Sequence, residues 1–138
     1  MTKILKEQTL TNGVEQVFHD YLKSTANISE FYLMSFNRLQ QLQKFFEEDP
    51  HDPFNIYGLA LEYSKHEPAR AKELFNRLLK DFPAYIPTYY HAAKLYAELN
   101  DKATAIEIYE KGIKVSQQQN DHKTSRELQS AYQEFIFE

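Results

Sequence analysis

The side chains best suited to acid–base or metal chemistry in this sequence are five histidines, and they are scattered along the chain. They are His19, His51, His66, His91 and His122. No two of them stand four residues apart, and none has a carboxylate at the spacing of zinc ligands. His91 follows Tyr90 and can line a groove, but a single solvated imidazole is the simpler interpretation because no second ligand or nucleophile accompanies it. The histidines therefore predict neither a metal site nor a catalytic centre.

The other candidate for chemistry is an acidic cluster at Glu47–Asp49 with Asp52. Such carboxylates can hold a cation, but the spacing and the turn glycine of a calcium loop are missing, so a solvated helix end is favoured. Gly58 and Gly112 lie inside helical patterns, where glycine indicates close packing and not a phosphate-binding loop. The chain has no cysteine, which excludes disulfides, thiolate metal sites and cysteine nucleophiles. We expect no cofactor and no enzymatic activity.

Length and charge narrow the remaining classes. The chain has 138 residues, enough for one modest core, and a net charge of −4 with a pI near 5.7. This charge balance argues against a nucleic-acid partner and against an anionic membrane surface. No apolar segment of a secretory signal follows the N-terminal lysines, and the early apolar run at 31–34 is too short to span a bilayer. We therefore expect a cytoplasmic protein.

The first third of the chain has helical periodicity. Apolar residues at Val14, Val17, Phe18, Tyr21 and Leu22 form one stripe, which predicts a helix capped by Thr11 or Asn12 and packed on the rest of the protein. The run at 24–27 is predicted to be a loop, followed by a second helix from Ser29 to Glu48. The apolar stripe of that second helix consists of Tyr32, Phe36, Leu39, Leu42 and Phe46. Leu33 and Met34 lie off this stripe, so we expect something to cover them. The 14–22 stripe offers a matching face.

From Pro53 onward the sequence repeats itself with a period of about 34 residues. Apolar positions in the first helix of each copy are offset by 33: Ile56, Leu59, Ala60 and Tyr63 against Tyr89, Ala92, Ala93 and Tyr96. Positions in the second helix are offset by 34: Ala71, Phe75 and Leu79 against Ala105, Tyr109 and Ile113. A period of this length built from two helices indicates a helical solenoid.

A last helix at about 121–137 would cap the open end of the second repeat. Asn120 and Asp121 form its predicted turn and cap. Its buried stripe is predicted to be Leu128, Ala131, Tyr132 and Phe135. Its polar residues, including Glu127 and Glu134, are predicted to face away.

This spacing, with Pro83 after the first helix pair, resembles the tetratricopeptide repeat. The resemblance implies an all-α solenoid of helical hairpins, with repeats at about 53–85 and 86–119, a C-terminal capping helix and extra N-terminal helices. It also places Ala60 and Ala93 where the two helices of each repeat cross. The stretch from Met34 resembles compact bacterial two-repeat proteins, so we divide the chain into a helical extension at 1–33 and a repeat domain at 34–138.

The resemblance further implies a non-catalytic scaffold or adaptor that binds a peptide or a partner helix in a shallow groove. In the family the first helix of each repeat lines this groove. The matching positions are Phe54, Tyr57, Leu61 and Lys65 in repeat one and Pro87, Tyr90, Lys94, Ala97 and Glu98 in repeat two, with His91 beside them. The Lys and Asn clamp that some members use for chaperone tails is absent, because Tyr57, Leu61 and His91 take those positions.

Two alternatives stay open at this point. The N-terminal helices can fold over the groove and bury it within the chain. The protein can also be a structural homodimer whose exposed apolar ends, Phe135–Phe137 and Phe31–Met34, meet each other.

Overall fold

The computed structural model describes the backbone of residues 2–138 and the side chains of residues 13–138. Over this range it contains six helices and no strand. They are α1 (Thr2–Glu48), α2 (Pro53–His66), α3 (Pro68–Asp81), α4 (Pro87–Glu98), α5 (Lys102–Gln118) and α6 (His122–Phe137). The chain divides within α1 into two compact units, Met1–Gln40 and Gln41–Glu138. The all-α architecture of two helical hairpins and a final helix confirms the predicted fold class.

The N-terminal region is one helix where two were predicted. α1 runs without a break through the expected loop at 24–27 and through the expected start at Ser29. The helix accommodates the local hydroxyls: Thr25 Oγ1 donates to the carbonyl of Tyr21 at 3.2 Å, and Ser29 Oγ donates to that of Ala26 at 2.8 Å. Side chains bonded back onto the preceding turn leave the helical ladder intact. No proline or glycine interrupts this stretch.

The predicted stripe on this helix is exposed. Val14, Val17, Phe18, Tyr21 and Leu22 are between 49 and 71% exposed. Leu33 and Met34 are also exposed, and they lie on the same uninterrupted helix, whose segments cannot fold onto one another. The expectation that residues 12–24 pack on the rest is therefore wrong for a single copy of the chain. A cap at Thr11 or Asn12 is wrong too, because the helix begins at Thr2.

The last turns of α1 belong to the second unit and pack on α2. A Cβ added at Gly58 would lie 3.2 Å from Leu42 Cδ2. Gln43 Nε2 donates to the hydroxyl of Tyr63 at 2.9 Å, and Asn55 Nδ2 donates to the carbonyl of Phe45 at 3.1 Å. Residues 41–48 thus cover the side of the first hairpin that would otherwise be open.

The core of the second unit lies where the hairpin helices cross, α2 on α3 and α4 on α5. Small side chains let the axes approach: Ala60, Ala71, Ala93 and Ala105 are completely buried. Helices α4 and α5 approach even more closely at Gly112 of α5, because a Cβ there would lie 2.6 Å from Tyr89 Cβ on α4. The prediction that alanines and glycines mark close packing is confirmed at these positions.

The turns before α5 and α6 use the same five-residue device. Asn100 adopts a positive φ of 61°, and Asp101 then accepts hydrogen bonds from Thr104 Oγ1 at 2.8 Å and Thr104 N at 3.1 Å. The arrangement recurs at Asn120, Asp121 and Thr124. Asparagine tolerates this left-handed conformation better than most residues, and aspartate is a strong N-cap. These bonds lower the pKa of both aspartates.

Candidate functional site

The first helices of the two hairpins, α2 and α4, pack side by side and present aromatic side chains. Four rings form a connected series that we call the aromatic row: Tyr85, Tyr57, His91 and Tyr90. Ring centroids are 5.8 Å apart between Tyr85 and Tyr57, 5.9 Å between Tyr57 and His91, and 5.2 Å between His91 and Tyr90. All three contacts are edge-to-face, the geometry that aromatic quadrupoles favour.

The aromatic row is partly shielded from water, and this shielding shifts the pKa values of His91 and Tyr57. Burial lowers the pKa of the His91 imidazole, and Lys94 nearby lowers it further. Burial also raises the pKa of Tyr57, with a smaller contribution from Tyr85. His91 is therefore neutral at neutral pH and half-buried between two rings. The interpretation of His91 as a solvated imidazole is wrong, because Tyr57 and Tyr90 flank it.

Beyond the row, α4 and α6 border two adjoining clefts, which we call the Tyr90 clefts. The first, of about 420 Å³, is lined by Tyr90, Thr124, Glu127, Leu128, Ser130, Ala131 and Glu134. The second, of about 430 Å³, is lined by Tyr90, Lys94, Ala97, Glu98, Lys102, Tyr109, Ala131, Glu134, Phe135 and Glu138. Tyr90, Ala131 and Glu134 line both clefts. Tyr90 is 41% exposed and so offers its ring to a ligand in either.

The Tyr90 clefts combine an apolar floor with an acidic rim. Glu127 and Glu134 border the first cleft, whose lining contains no basic residue. In the second cleft three glutamates stand beside two lysines. Such a surface favours a ligand whose apolar side chain is flanked by basic groups.

Helix α6 is held in place by aromatic contacts with α5. The ring centroid of Tyr109 lies 5.8 Å from that of Tyr132 and 5.9 Å from that of Phe135. The hydroxyl of Tyr132 donates to Glu110 Oε1 at 2.9 Å. Leu128 is buried as predicted, whereas Ala131, Tyr132 and Phe135 are half-buried. These contacts leave the Glu127 and Glu134 side of α6 open toward α4.

The predicted binding residues fall into three groups. Tyr90, Lys94, Ala97 and Glu98 line the Tyr90 clefts. Tyr57 and His91 lie in the aromatic row. The remaining first-repeat residues belong to neither group: Phe54 is 68% exposed, Leu61 is half-buried, and Lys65 Nζ lies 3.0 Å from Oε2 of the buried Glu62. Lys65 is therefore engaged within α2.

Sequence reasoning missed the contribution of α6. Glu127 and Glu134 are exposed, as expected for residues that face away from the buried stripe, but they also border the clefts together with Ala131. Their spacing of four and three residues puts all three on one helix face. The order of the helices could have revealed this role of α6. Helix α6 follows α5 as the first helix of a third repeat would, so its open face continues that of α4.

Two further observations concern other classes of site. Within residues 13–138, histidines, aspartates and glutamates do not gather in threes at a metal-binding distance. Each helix of the described chain is too short or too polar to cross a membrane.

Comparison with known proteins identifies similar sequences and structures. A family model described as tetratricopeptide repeat matches residues 88–114. The crystal structure of a tetratricopeptide repeat domain protein from Salinibacter ruber has 40% sequence identity and a TM-score of 0.59, covering 62% of this chain and 97% of that one. A solution NMR structure of such a protein from the same organism has 42% identity and a TM-score of 0.60, covering 63% and 89% respectively. No curated protein matches the sequence.

Proposed function

Because this chain belongs to the tetratricopeptide-repeat family, we propose that it is a non-catalytic module that binds a peptide or a partner helix in the Tyr90 clefts. Repeats of this family generally mediate protein–protein interaction, and its members are generally scaffolds. The observation that carries the proposal is that the aromatic ring of Tyr90 is partly exposed and lies between two clefts. Exposed tyrosines at the centre of a concave surface are typical anchors of protein interfaces.

The lining of the clefts supports a particular kind of partner. Tyr90, Leu128 and Ala131 offer an apolar floor, and Glu127 and Glu134 add negative charge at its edge. A peptide or helix with an aliphatic or aromatic side chain next to lysine or arginine matches both features. The aromatic row supports the floor from behind, because His91 packs edge-to-face against Tyr90. A cytoplasmic location stays a prediction.

A phage-displayed library of random peptides tests this proposal without a known partner. We expect selection on the full chain to enrich peptides that combine an apolar residue with lysine or arginine. Tyr90→Ala should lower the affinity for the selected peptide by about 5- to 1000-fold, because loss of an anchor residue typically costs about 1–4 kcal/mol. Glu134→Lys should weaken it through charge reversal.

Phe54→Ala is the matched control, because Phe54 is an exposed aromatic on α2 outside the clefts. It should leave the affinity unchanged. Circular dichroism melts establish that the variants are folded. Equal affinity of the selected peptide for the native chain and for Tyr90→Ala would overturn the assignment of the clefts.

A further inference from the structure

Helix α1 carries an apolar heptad pattern that the binding site does not use. Residues at alternating spacings of four and three form the seam: Val14, Phe18, Tyr21, Thr25, Ile28, Tyr32, Ser35, Leu39, Leu42 and Phe46. Val17, Leu22, Phe31 and Phe36 widen this seam on both sides. A heptad repeat sustained over this length is the pattern of helices that pack against other helices.

The C-terminal end of the seam packs against other helices of the same chain. Leu42 lies against Gly58 of α2, and the guanidinium of Arg77 sits 5.8 Å from the ring centroid of Phe46. The seam at residues 42–46 is thus covered by helices of the same chain. The heptad positions continue toward the N-terminus without a break, and there the side chains from Val14 to Tyr32 are exposed.

The exposed part is large enough for a stable interface. Nine large apolar side chains of the seam and its flanks are between 49 and 71% exposed: Val14, Val17, Phe18, Tyr21, Leu22, Ile28, Phe31, Tyr32 and Phe36. At about 100 Å² each they offer roughly 900 Å² per copy, close to the ~800 Å² that each partner of a standard interface buries. Many of these residues are β-branched or aromatic, so the helix depends on burial more than on intrinsic propensity.

The charges indicate what covers this face. Between Val14 and Ser35 no seam position is charged, so two copies can meet without opposing like charges. A membrane-surface helix would carry a row of lysines and arginines on its polar side. From residue 13 to residue 37 the only lysine or arginine is Lys23, which argues against a lipid surface.

We propose that residues 14–39 of α1 form a self-association segment that packs against the same segment of a second copy of this chain. This interface differs from a homodimer through Phe135–Phe137, because it lies wholly on α1. It would supply the partner that the exposed seam lacks within one chain. Self-association through α1 would also bring two or more pairs of Tyr90 clefts into one particle.

Light scattering after size-exclusion chromatography tests the proposal on the full chain. We expect an oligomer across about 1–100 µM, since interfaces of this area range from micromolar to picomolar affinity. Tyr21→Glu with Ile28→Glu places charges in the seam and should raise the dissociation constant by about 100-fold or more. The matched control, His19→Glu with Ala26→Glu, adds the same charges outside the seam and should leave the mass unchanged.

A second readout covers the case in which the charged variant does not fold. The chain has no tryptophan, so Tyr32→Trp gives a single fluorescent probe in the seam. Its emission should shift to shorter wavelength as concentration rises, whereas that of His19→Trp should not. A chain that is monomeric at about 100 µM, with constant emission from the Tyr32→Trp variant, would overturn the proposal. An oligomer that both glutamate variants leave intact would also overturn it, because association would then lie elsewhere.

Discussion

Two tyrosines, one on α1 and one on α4, each belong to a helical apolar stripe and have opposite environments. Tyr21 on α1 is 63% exposed. Tyr89 on α4 is completely buried, its hydroxyl donates to the carbonyl of Pro83 at 2.6 Å, and its ring packs over Gly112. The stripe predicts a helix in both cases. Burial depends on whether another element provides a complementary surface.

The repeats provide that surface because the sequence encodes it twice. The first helix of each repeat packs against the second helix, which follows it after a short turn, and small residues such as Ala71 and Ala105 lie at the crossing. The segment at 14–39 has no such neighbour next to it in sequence. Three perturbations, two substitutions and a change of pH, probe this contrast from the repeat core outward to α1.

Gly112→Ala should have the largest effect. The new Cβ would lie 2.8 Å from Tyr89 Cγ and 2.6 Å from Tyr89 Cβ, and Cβ moves only if α4 or α5 moves. Overpacking of this kind lowers the free energy of unfolding by about 1–3 kcal/mol. Urea denaturation followed by circular dichroism measures the loss.

Gly58→Ala is the control for that substitution. Its Cβ would meet only the end of the flexible Leu42 side chain, at 3.2 Å. We expect a change in the free energy of unfolding below about 1 kcal/mol, since alanine also favours the helix by about that amount. Equal midpoints for the two variants would mean that α4 and α5 do not approach as closely as the structure shows.

Acidification should have an intermediate effect through the caps of α5 and α6. Hydrogen bonds from Thr104 and Thr124 lower the pKa of Asp101 and Asp121 from the ordinary value of 3.8. The folded state therefore binds fewer protons than the unfolded state. The stability that these caps contribute is present above pH 3.8 and is lost as the pH falls through the lower folded values.

Thermal melts at a series of pH values check the cap prediction. Asp101→Asn with Asp121→Asn keeps a capping side chain but removes the titration. At neutral pH the double variant should melt a few degrees below the native chain. This gap should close at acidic pH. A gap that is constant with pH would contradict the role of the two carboxylates.

Gly13→Ala should have the smallest effect, and only in α1. Apart from the backbone of its own helical turn, no atom of the described residues lies within 4 Å of the added Cβ, so the substitution mainly changes helix propensity, by about 1 kcal/mol. Amides near residue 13 should exchange about fivefold more slowly with deuterium, while the urea midpoint of the repeats stays the same. Ala26→Gly, an exposed site on the same helix, should shift exchange in the opposite direction. Exchange at the rate of an unstructured peptide throughout 12–24 would contradict the helix itself.

The sequence by itself determined the repeat and its core. Small residues such as Ala60 and Ala93 recur at one spacing, and this recurrence specified both the helices and their crossings. Each repeat needs a small residue where its two helices cross, so the same residue type returns in each copy. It also determined the cap at Asp121, which depends on residues within one turn. The resemblance placed Tyr57 and Tyr90 at groove positions, and both lie in the aromatic row.

The structure decided three features that the sequence did not predict. The segment at 24–27 contains loop-forming residue types, but the hydroxyl of Thr25 bonds to the carbonyls of Tyr21 and Leu22 within the helix, and α1 continues. Glu127 and Glu134 have the pattern of solvated positions on a cap, and only the placement of α6 beside α4 makes them the rim of a cleft. His91 is partly desolvated by burial, and one of the two rings that flank it, Tyr57, comes from a different helix. Periodicity reports the local conformation of a helix, whereas the environment of each face depends on which distant element lies against it.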